Sequence, residues 1–210
     1  MSAEIFAFRD RVPIMASLRE RKRARTRQAL VGAAAELFEH RGYQRTTIAD
    51  IAAAADISTR TFFGYFASKE DVLFPDADAR VRAALMAIDE RRPNERPTEI
   101  LLRALPEVAQ AGDDMVGQMA ALRVRLIRAV PAVRRRGLQL QYDAQAEIAN
   151  RLHAAFPGEL DEVESAALVG AFVGAVGGAL EVLLRDPDAD PDIVRERLQR
   201  TTAVALRPWT

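Results

Sequence analysis

The chain has 210 residues, 49% of them hydrophobic, which is enough for one large or two small domains with a real core. Its 30 basic and 30 acidic residues give a formal net charge of zero, and it contains no cysteine. Disulfides, thiol redox sensing and Cys-ligated zinc are therefore excluded. The chain is rich in alanine and leucine and has few β-branched runs, which predicts an all-α fold.

Residues 1–17 show no clear hydrophobic period and contain Pro13, and we interpret them as a flexible or disordered arm. They carry Glu4 and Asp10 and lack a long apolar run, so they do not have the pattern of a signal peptide. The two histidines, His40 and His153, are far apart in sequence, and we interpret each as a surface or helix-end residue. We therefore expect no metal site and no cofactor.

The first predicted helix runs from about Leu18 to Arg41, where Gly42 ends it. Its first half is basic, and its second half places apolar residues on one face at helical spacing. The basic residues are Arg19, Arg21, Lys22, Arg23, Arg25 and Arg27, and the apolar face is Leu30, Ala33, Ala34, Leu37 and Phe38. A basic amphipathic helix fits DNA, a membrane surface or a calmodulin-like partner, and the residues that follow favour DNA.

Residues 42–71 have the pattern of a helix-turn-helix. Thr47 and Asp50 form a capping box that starts a short helix. The pair Asp56 and Ile57 breaks the period, and Ser58 caps a second helix that runs to about Phe63. This second helix is expected to present its first residues outward.

The residues of the second helix suit a DNA surface. Thr59 and Arg60 lie at its exposed start and are expected to reach base edges, whereas Phe62 is expected to face the core with Phe66. A second capping box at residues 68–71 predicts a long helix from Lys69 to about Arg91. The pattern alone leaves open a small helical subdomain with a polar surface.

These residues resemble the N-terminal DNA-binding domain of the TetR family of bacterial one-component transcriptional regulators. The resemblance covers about residues 18–74, in which several motifs occur in the family's order and spacing. The matching stretches are 35–43, 46–48 with 51–52, 61–66 and 68–70. The chain departs from the usual pattern at Arg60, Phe63, Gly64 and Tyr65, which affects its sequence preference rather than its fold.

The resemblance implies a homodimer that binds double-stranded operator DNA in the cytoplasm, without a membrane partner, and is released by a small-molecule effector. The implied DNA-binding residues are Arg45, Thr46, Thr47, Ser58, Thr59, Arg60, Thr61, Phe63, Gly64, Tyr65 and Lys69. Among them, Thr47, Tyr65 and Lys69 are expected to hold phosphates. The first fourteen residues are then either a start-site overcall or an arm that adds contacts through Arg9 and Arg11.

A second domain of residues 75–210, a helical bundle for ligand binding and dimerisation, is expected after the loop at residues 91–97. Its predicted helices are about 98–111, 115–130, 132–155, 162–185 and 191–206. Helix 162–185 is the most apolar, but its uncharged stretch of residues 166–180 is too short for a membrane span. Its glycines Gly170, Gly174 and Gly178 predict close packing, either within one subunit or, as the resemblance implies, in a dimer interface.

The sensor site is expected between residues 98 and 172. The candidate lining residues are Met115, Met119, Leu122, Arg123, Leu126, Tyr142, Phe156 and Phe172. Methionine and leucine stripes also form ordinary core, and arginines also form solvated surfaces, so both alternatives stay open. The stretch from Arg60 to the Asp-rich loop after Phe74 resembles a TetR subgroup with acyl-coenzyme-A-like ligands, which implies a small, largely apolar effector.

Two other classes of function are considered: a helical enzyme, and a structural or partner-binding helical protein. The sequence shows no Ser/His/Asp, Cys/His or metal-ligand set and no phosphate-binding glycine loop, which argues against an enzyme. A purely structural role leaves the basic first helix and the exposed turn at residues 58–61 unexplained. A ligand-responsive DNA-binding regulator, most simply a repressor, accounts for both.

Overall fold

A computed structural model of the protein describes residues 18–110, 115–186 and 189–207. The predicted arm of residues 1–17 and the predicted turn at residues 112–114 lie outside the described residues. The elements in chain order are α1 (Leu18–Arg41), α2 (Ile48–Ala54), α3 (Thr59–Phe62), a 3₁₀ helix (Glu70–Leu73), α4 (Ala77–Asp89), α5 (Pro97–Gln110), α6 (Gln118–Ala129), α7 (Pro131–Ala155), α8 (Glu162–Leu183) and α9 (Pro191–Leu206). The described part of the chain is helical without a strand, as the composition predicted.

The helix-turn-helix is built from the local caps that the sequence predicted. Thr47 Oγ1 accepts a hydrogen bond from the Asp50 N–H at 3.1 Å, and the Asp50 carboxylate accepts one from the Thr47 N–H at 2.8 Å. Asp56 adopts a φ of +54°, which turns the chain between α2 and α3. Gly42, with a φ of +80°, ends α1, so the chain can turn back along that helix.

The prediction of one continuous helix from Lys69 to Arg91 is wrong. The chain forms a single 3₁₀ turn, breaks at residues 74–76 and begins α4 at Ala77. Pro75 explains the break, because proline lacks the N–H that a helix needs and moves the preceding residue out of the helical region. Phe74 accordingly has a φ of −128° and a ψ of 50°.

Two other helix starts differ slightly from the prediction. α6 begins at Gln118 rather than near residue 115, because Gly117 has a φ of +146°, outside the helical region. α7 begins at Pro131 itself rather than at residue 132. The first position of a helix suits proline, because the N–H that proline lacks has no hydrogen-bond partner within the helix there.

The described residues form three hydrophobic cores: two large ones, and a smaller one in which α6 meets α8 and α9 through residues such as Ala121 and Val194. The first core joins α1, α2, α3 and the 3₁₀ helix to α6 and the start of α7, through buried residues such as Leu30, Phe62 and Leu122. The second core lies among α4, α5, α7, α8 and α9, around residues such as Leu105 and Leu152. α6 and α7 therefore connect the helix-turn-helix to the larger bundle.

α8 leaves much of its apolar surface uncovered. Among the described residues it is the one helix long and apolar enough to cross a membrane, judged by length and composition alone. Only 17% of its most apolar window is buried within the protein. The helix packs against α7 and α9, and its C-terminal part also contacts α6, whereas the surface that includes Gly174 and Gly178 meets solvent in this chain.

Candidate DNA-binding interface and cavity

The first turn of α3 presents polar side chains to solvent above a buried aromatic anchor. Ser58 Oγ accepts a hydrogen bond from the Thr61 N–H at 3.1 Å, and the hydroxyl oxygens of these two residues are 2.9 Å apart. Phe62 is fully buried and fixes the helix on the core. Thr59 and Arg60 remain exposed, so this turn can place two side chains against the edges of bases.

Phe63, Gly64 and Tyr65 form an edge beside this turn. Phe63 is 56% exposed, and its ring packs edge-on against Phe62 with 5.6 Å between the centroids. Gly64 is exposed, and a Cβ there would meet a carbonyl oxygen of α3 at 3.2 Å. Tyr65 is half-buried, and the guanidinium of Arg23 lies 5.3 Å from its ring centroid. The basic half of α1 therefore adjoins the proposed DNA-reading edge.

Arg27 connects α1 to both ends of the segment that follows α3. Its Nη1 donates to the Tyr65 carbonyl at 3.1 Å, and its Nη2 donates to the Pro75 carbonyl. Its guanidinium also lies 4.4 Å from the ring centroid of Phe66. Arg45, in the turn before α2, is exposed and donates from Nε to a carbonyl at the end of α1 at 2.8 Å. The basic half of α1 also carries exposed cations, namely Arg19, Arg21, Lys22, Arg23 and Arg25.

The prediction that the Thr46 side chain contacts DNA is wrong. Thr46 is 1% exposed, and its hydroxyl lies 3.0 Å from the Gly42 carbonyl and 3.3 Å from the Leu37 carbonyl, to which it donates. The hydroxyl therefore closes the turn after α1. Thr47 is exposed, and its hydroxyl donates to the Asp50 carboxylate at 2.6 Å in addition to capping α2.

Lys69 is held by the protein itself. Its ammonium donates to the carbonyls of Tyr43 at 2.9 Å and Thr46 at 2.8 Å, and it lies 4.0 Å from the Tyr43 ring centroid. Burial lowers the pKa of Lys69, against the opposing effect of the Glu70 charge. Lys69 thus joins the turn after α1 to the 3₁₀ helix, and its contact with a phosphate stays a prediction.

Tyr43 and Glu70 complete this junction. The Tyr43 hydroxyl donates to the Glu70 carboxylate. Burial raises the pKa of Tyr43, and the hydrogen bond to Glu70 and its negative charge raise it further. Burial also raises the pKa of Glu70, but hydrogen bonds from Tyr43, its own backbone and Ser68 outweigh burial and hold that pKa below its usual value.

A cavity of about 460 Å³ lies between α4, α5, α7 and α8. Its apolar wall includes Val81, Ala84, Leu105, Ile148, Val173 and Val176. Its charged border includes Asp78, Arg80, Arg82, Asp143 and Glu147. This size and lining fit a small organic ligand that is mostly apolar. Of the predicted pocket residues, Met115 and Phe172 line this cavity.

Two predicted pocket residues on α7 and just after it lie away from the cavity. Tyr142 is 71% exposed, because α7 turns this position away from its neighbouring helices. Phe156 is buried in the second core, with the Arg91 guanidinium 5.0 Å from its ring centroid. The prediction that Tyr142 and Phe156 line the pocket is therefore wrong.

The α6 residues predicted for the pocket face the other core instead. Met119, Leu122 and Leu126 pack with the helix-turn-helix, because α6 directs its apolar face toward α1. Arg123 is 7% exposed, and its Nη1 donates to the Leu73 carbonyl at 3.1 Å. These four residues lie away from the cavity among α4, α5, α7 and α8, and Met119 and Leu122 instead border a separate depression of about 420 Å³ between α1 and α6.

Sequence reasoning missed the contribution of α4 and α5 to the cavity. Val81 lies within the predicted helix from Lys69 to about Arg91, but helical periodicity did not show which of its residues would face an empty space. Ala84 and Leu105 had no signal beyond helical periodicity. A cavity depends on how far apart helices pack, which a single helix does not encode.

The glycine face of α8, formed by Gly170, Gly174 and Gly178, is open in this chain. Within the described part of the chain, a Cβ placed on any of the three would meet no heavy atom within 4 Å. The three glycines therefore do not mark a close contact inside the protomer.

The comparison with known proteins agrees with this architecture. Residues 30–74 match the sequence profile described as bacterial regulatory proteins, tetR family. The HTH-type transcriptional regulator TcmR of Streptomyces glaucescens is 32% identical over 165 residues, which cover 76% of this chain and 73% of that protein.

Solved structures share the fold at low sequence identity. Thermus thermophilus FadR, a TetR-family transcriptional repressor solved in complex with lauroyl-CoA, has a TM-score of 0.51 and 22% identity over 88% of this chain and 95% of its own. A TetR-family regulator from Syntrophomonas wolfei has a TM-score of 0.59 and 17% identity over 88% of this chain and 96% of its own. The profile match, the extended relationship to TcmR and the shared fold show that the chain belongs to the TetR family and is a DNA-binding transcriptional regulator.

Proposed function

We propose that the protein is a homodimeric repressor that binds an inverted-repeat operator and releases it when a small, largely apolar ligand fills the cavity. The observation that carries the DNA-binding part is the exposed turn of α3, where Thr59 and Arg60 stand above the buried anchor Phe62. Every step of this function is binding, so the proposal assigns the chain no catalytic role and places it in the bacterial cytoplasm.

Different residues of the interface take different roles in this proposal. Arg60 and Thr59 reach base edges in the major groove, where one well-placed arginine discriminates bases by about 1–3 kcal/mol. The exposed ring of Phe63 suits the methyl group of a thymine. Thr47 and Tyr65 hold phosphates together with the exposed cations of α1, and these contacts set the register without reading sequence.

The dimer forms through α8 and α9. The glycine face of α8 is open, and both helices expose large apolar side chains, namely Val163, Val182, Ile193 and Val204. Exposure of such an apolar face to water is unfavourable, and a second copy of the chain would cover it. A two-fold dimer places two α3 helices roughly 34–36 Å apart, which matches the two half-sites of an inverted repeat.

The ligand enters the cavity between α4, α5, α7 and α8. The FadR structure with lauroyl-CoA shares this fold, and the apolar wall of the present cavity suits an acyl chain or a hydrophobic ring system of similar size. An anionic end would lie beside Arg80 or Arg82 at the border. The ligand can lower the affinity for DNA only by the factor by which it binds the released conformation more tightly than the DNA-binding conformation.

Ligand release of bound DNA tests this proposal. The parent protein is bound to a fluorescent duplex from the region upstream of its gene, and lauric acid, lauroyl-CoA and hydrophobic drugs are added in turn. A compound that raises the melting temperature of the free protein should also release the duplex. By reciprocity, the duplex should weaken binding of that compound by the same factor.

Two matched tryptophan variants locate the site. Val173→Trp places an indole in the cavity wall and should abolish release, whereas Tyr142→Trp changes an exposed ring on the far side of α7 and should leave release unchanged. The reverse result would place the ligand outside this cavity. A ligand that binds equally well with and without the duplex would contradict the proposed release.

A further inference from the structure

Arginines from three helices hold the 3₁₀ helix and the break that follows it. Arg136 of α7 donates from Nε to the Asp71 carboxylate at 2.5 Å, and Arg123 of α6 donates to the Leu73 carbonyl at 3.1 Å. Arg27 of α1 donates to the Pro75 carbonyl. Because Pro75 interrupts the helix here, α4 is not a rigid lever that continues from the helix-turn-helix. Contacts at this break therefore join those of α6 and α7 in connecting the DNA-binding domain to the larger bundle.

The ring of Phe74 packs against the backbone of α7 at Gly137. A Cβ built on Gly137 would lie 3.2 Å from Cζ and 3.5 Å from Cε1 of Phe74, and 3.7 Å from Cδ1 of Ile127. A distance of 3.2 Å is closer than most side chains tolerate, so the absent Cβ is what admits the ring. We name this contact of Phe74, Gly137 and Ile127 the Phe74 seat.

The Phe74 seat continues directly into the wall of the cavity. Leu140 and Gln141 line the cavity and follow Gly137 by three and four residues, which places them on the same face of α7. On the facing side, the cavity begins at Ala77, the first residue of α4 and three residues after Phe74. The cavity and the seat are therefore neighbouring parts of one contact between α4 and α7.

We propose that Phe74 and Gly137 are the positioning residues through which a ligand in the cavity moves the DNA-binding domain. The ring in its seat defines the DNA-binding state, and a ligand that separates α4 from α7 lifts the ring from Gly137. The arginine contacts at Asp71, Leu73 and Pro75 then carry the displacement to the 3₁₀ helix and α1. This inference rests on the proposed function, because it assumes that the ligand releases DNA from the ligand-free arrangement.

A graded series at Gly137 tests the Phe74 seat without any ligand. Gly137→Ala and Gly137→Leu should displace the ring in proportion to their size and so imitate the ligand. We expect the affinity for a duplex from the region upstream of the gene to fall by between about fivefold and about a hundredfold, the range of ordinary coupling between sites. Gly32→Ala and Gly32→Leu are matched controls, because Gly32 is an exposed glycine of α1 where a Cβ meets no described atom within 4 Å.

A distance measurement gives a readout that does not depend on DNA. The chain has no cysteine, so Ala53→Cys on α2 and Asn150→Cys on α7 supply two unique sites for spin labels. Labelled protein is diluted with unlabelled parent so that the distance within one chain dominates. The Gly137 variants should move the distribution outside that of the parent, and the Gly32 variants should leave it in place.

A compensating substitution distinguishes a role of Phe74 and Gly137 in positioning the DNA-binding domain from a general loss of folding stability. Phe74→Leu shortens the side chain that collides, so the double variant Gly137→Ala/Phe74→Leu should recover both the parent distance distribution and most of the DNA affinity. Gly137 variants with parent-like melting and parent-like distances would overturn the inference, as would the absence of recovery in the double variant. If the parent binds neither the upstream duplex nor a scrambled one, the proposed function fails, while the distances still decide whether the seat sets the domain position.

Discussion

Gly174→Leu is expected to have opposite effects on the stability of the protomer and on the affinity of the dimer. Gly174 is exposed on α8, and within the described residues a Cβ there meets no heavy atom within 4 Å. The substitution is therefore sterically free in one chain. Leucine favours a helix more than glycine does, so the isolated protomer should gain roughly 0.5–1 kcal/mol of stability.

The dimer should respond in the opposite direction. If α8 of a second copy packs against the glycine face, a leucine enters a contact that has no room for it, and overpacking of this kind costs about 1–3 kcal/mol. Two-fold symmetry introduces the leucine twice, which gives about 2–6 kcal/mol per dimer. The dissociation constant of the dimer should rise by at least about thirtyfold.

Sedimentation velocity over a range of concentrations measures this constant, and thermal unfolding of the dilute protein measures the protomer. Gly32→Leu is the control, because it makes the same change on an exposed part of α1 and should leave the dimer intact. A Gly174→Leu dimer as tight as the parent dimer would refute the placement of the interface on this face.

Thr46→Val removes the buried hydroxyl that donates to the carbonyls of Gly42 and Leu37, so we expect a loss of about 1 kcal/mol and a melting temperature about 2–4 °C lower. Its preferred DNA sequence should match that of the parent, and a changed preference in a binding-site selection would restore Thr46 to the interface. Tyr43→Phe tests the raised pKa of Tyr43. The Tyr43 hydroxyl should stabilise the parent over the variant fully below pH about 10. Above that pH this stability difference should shrink, because the tyrosine ionises in the unfolded state and resists ionisation in the folded state. Denaturant unfolding at pH 8 and pH 11 should show the gap between parent and Tyr43→Phe narrowing at the higher pH, and a constant gap would contradict the shifted pKa.

The DNA-binding domain was predictable because its signals are local. The Thr47 and Ser58 caps, the stop at Gly42 and the burial of Phe62 each follow from a few neighbouring residues. The break at Pro75 also had a local signal, but the capping pattern before it suggested a long helix and outweighed the proline in the prediction. In the protein, that cap starts only one 3₁₀ turn.

The cavity was less predictable, because periodicity identifies the buried face of a helix without identifying its partner. The α6 stripe with Met119 and Leu126 is partly buried, but against the DNA-binding core rather than in the wall of the predicted pocket. The predicted DNA contact of Thr46 was wrong for a related reason, because the sequence around a threonine beside a cap does not show whether its hydroxyl faces a phosphate or a backbone carbonyl. Tertiary packing decides both cases.

Lys69 has a structural role in addition to its predicted phosphate contact. Its two carbonyl contacts mean that Lys69→Ala would weaken the junction between α1 and the 3₁₀ helix as well as any phosphate contact. A loss of DNA affinity in that variant therefore does not identify a phosphate contact by itself. Arg60 is exposed and is the cleaner probe of DNA recognition.

The central claim, that the exposed turn of α3 reads DNA, is tested by titrating the parent protein and Arg60→Ala against two fluorescent duplexes at about 50 mM and 200 mM salt. One duplex comes from the region upstream of the gene, and the other is its scrambled sequence. The parent should prefer the upstream duplex and bind both more weakly at the higher salt. Arg60→Ala should lose about 5- to 150-fold of that preference, corresponding to about 1–3 kcal/mol, while binding the scrambled duplex nearly as well as the parent does. An unchanged preference in Arg60→Ala, or no salt-dependent binding by the parent, would contradict the claim.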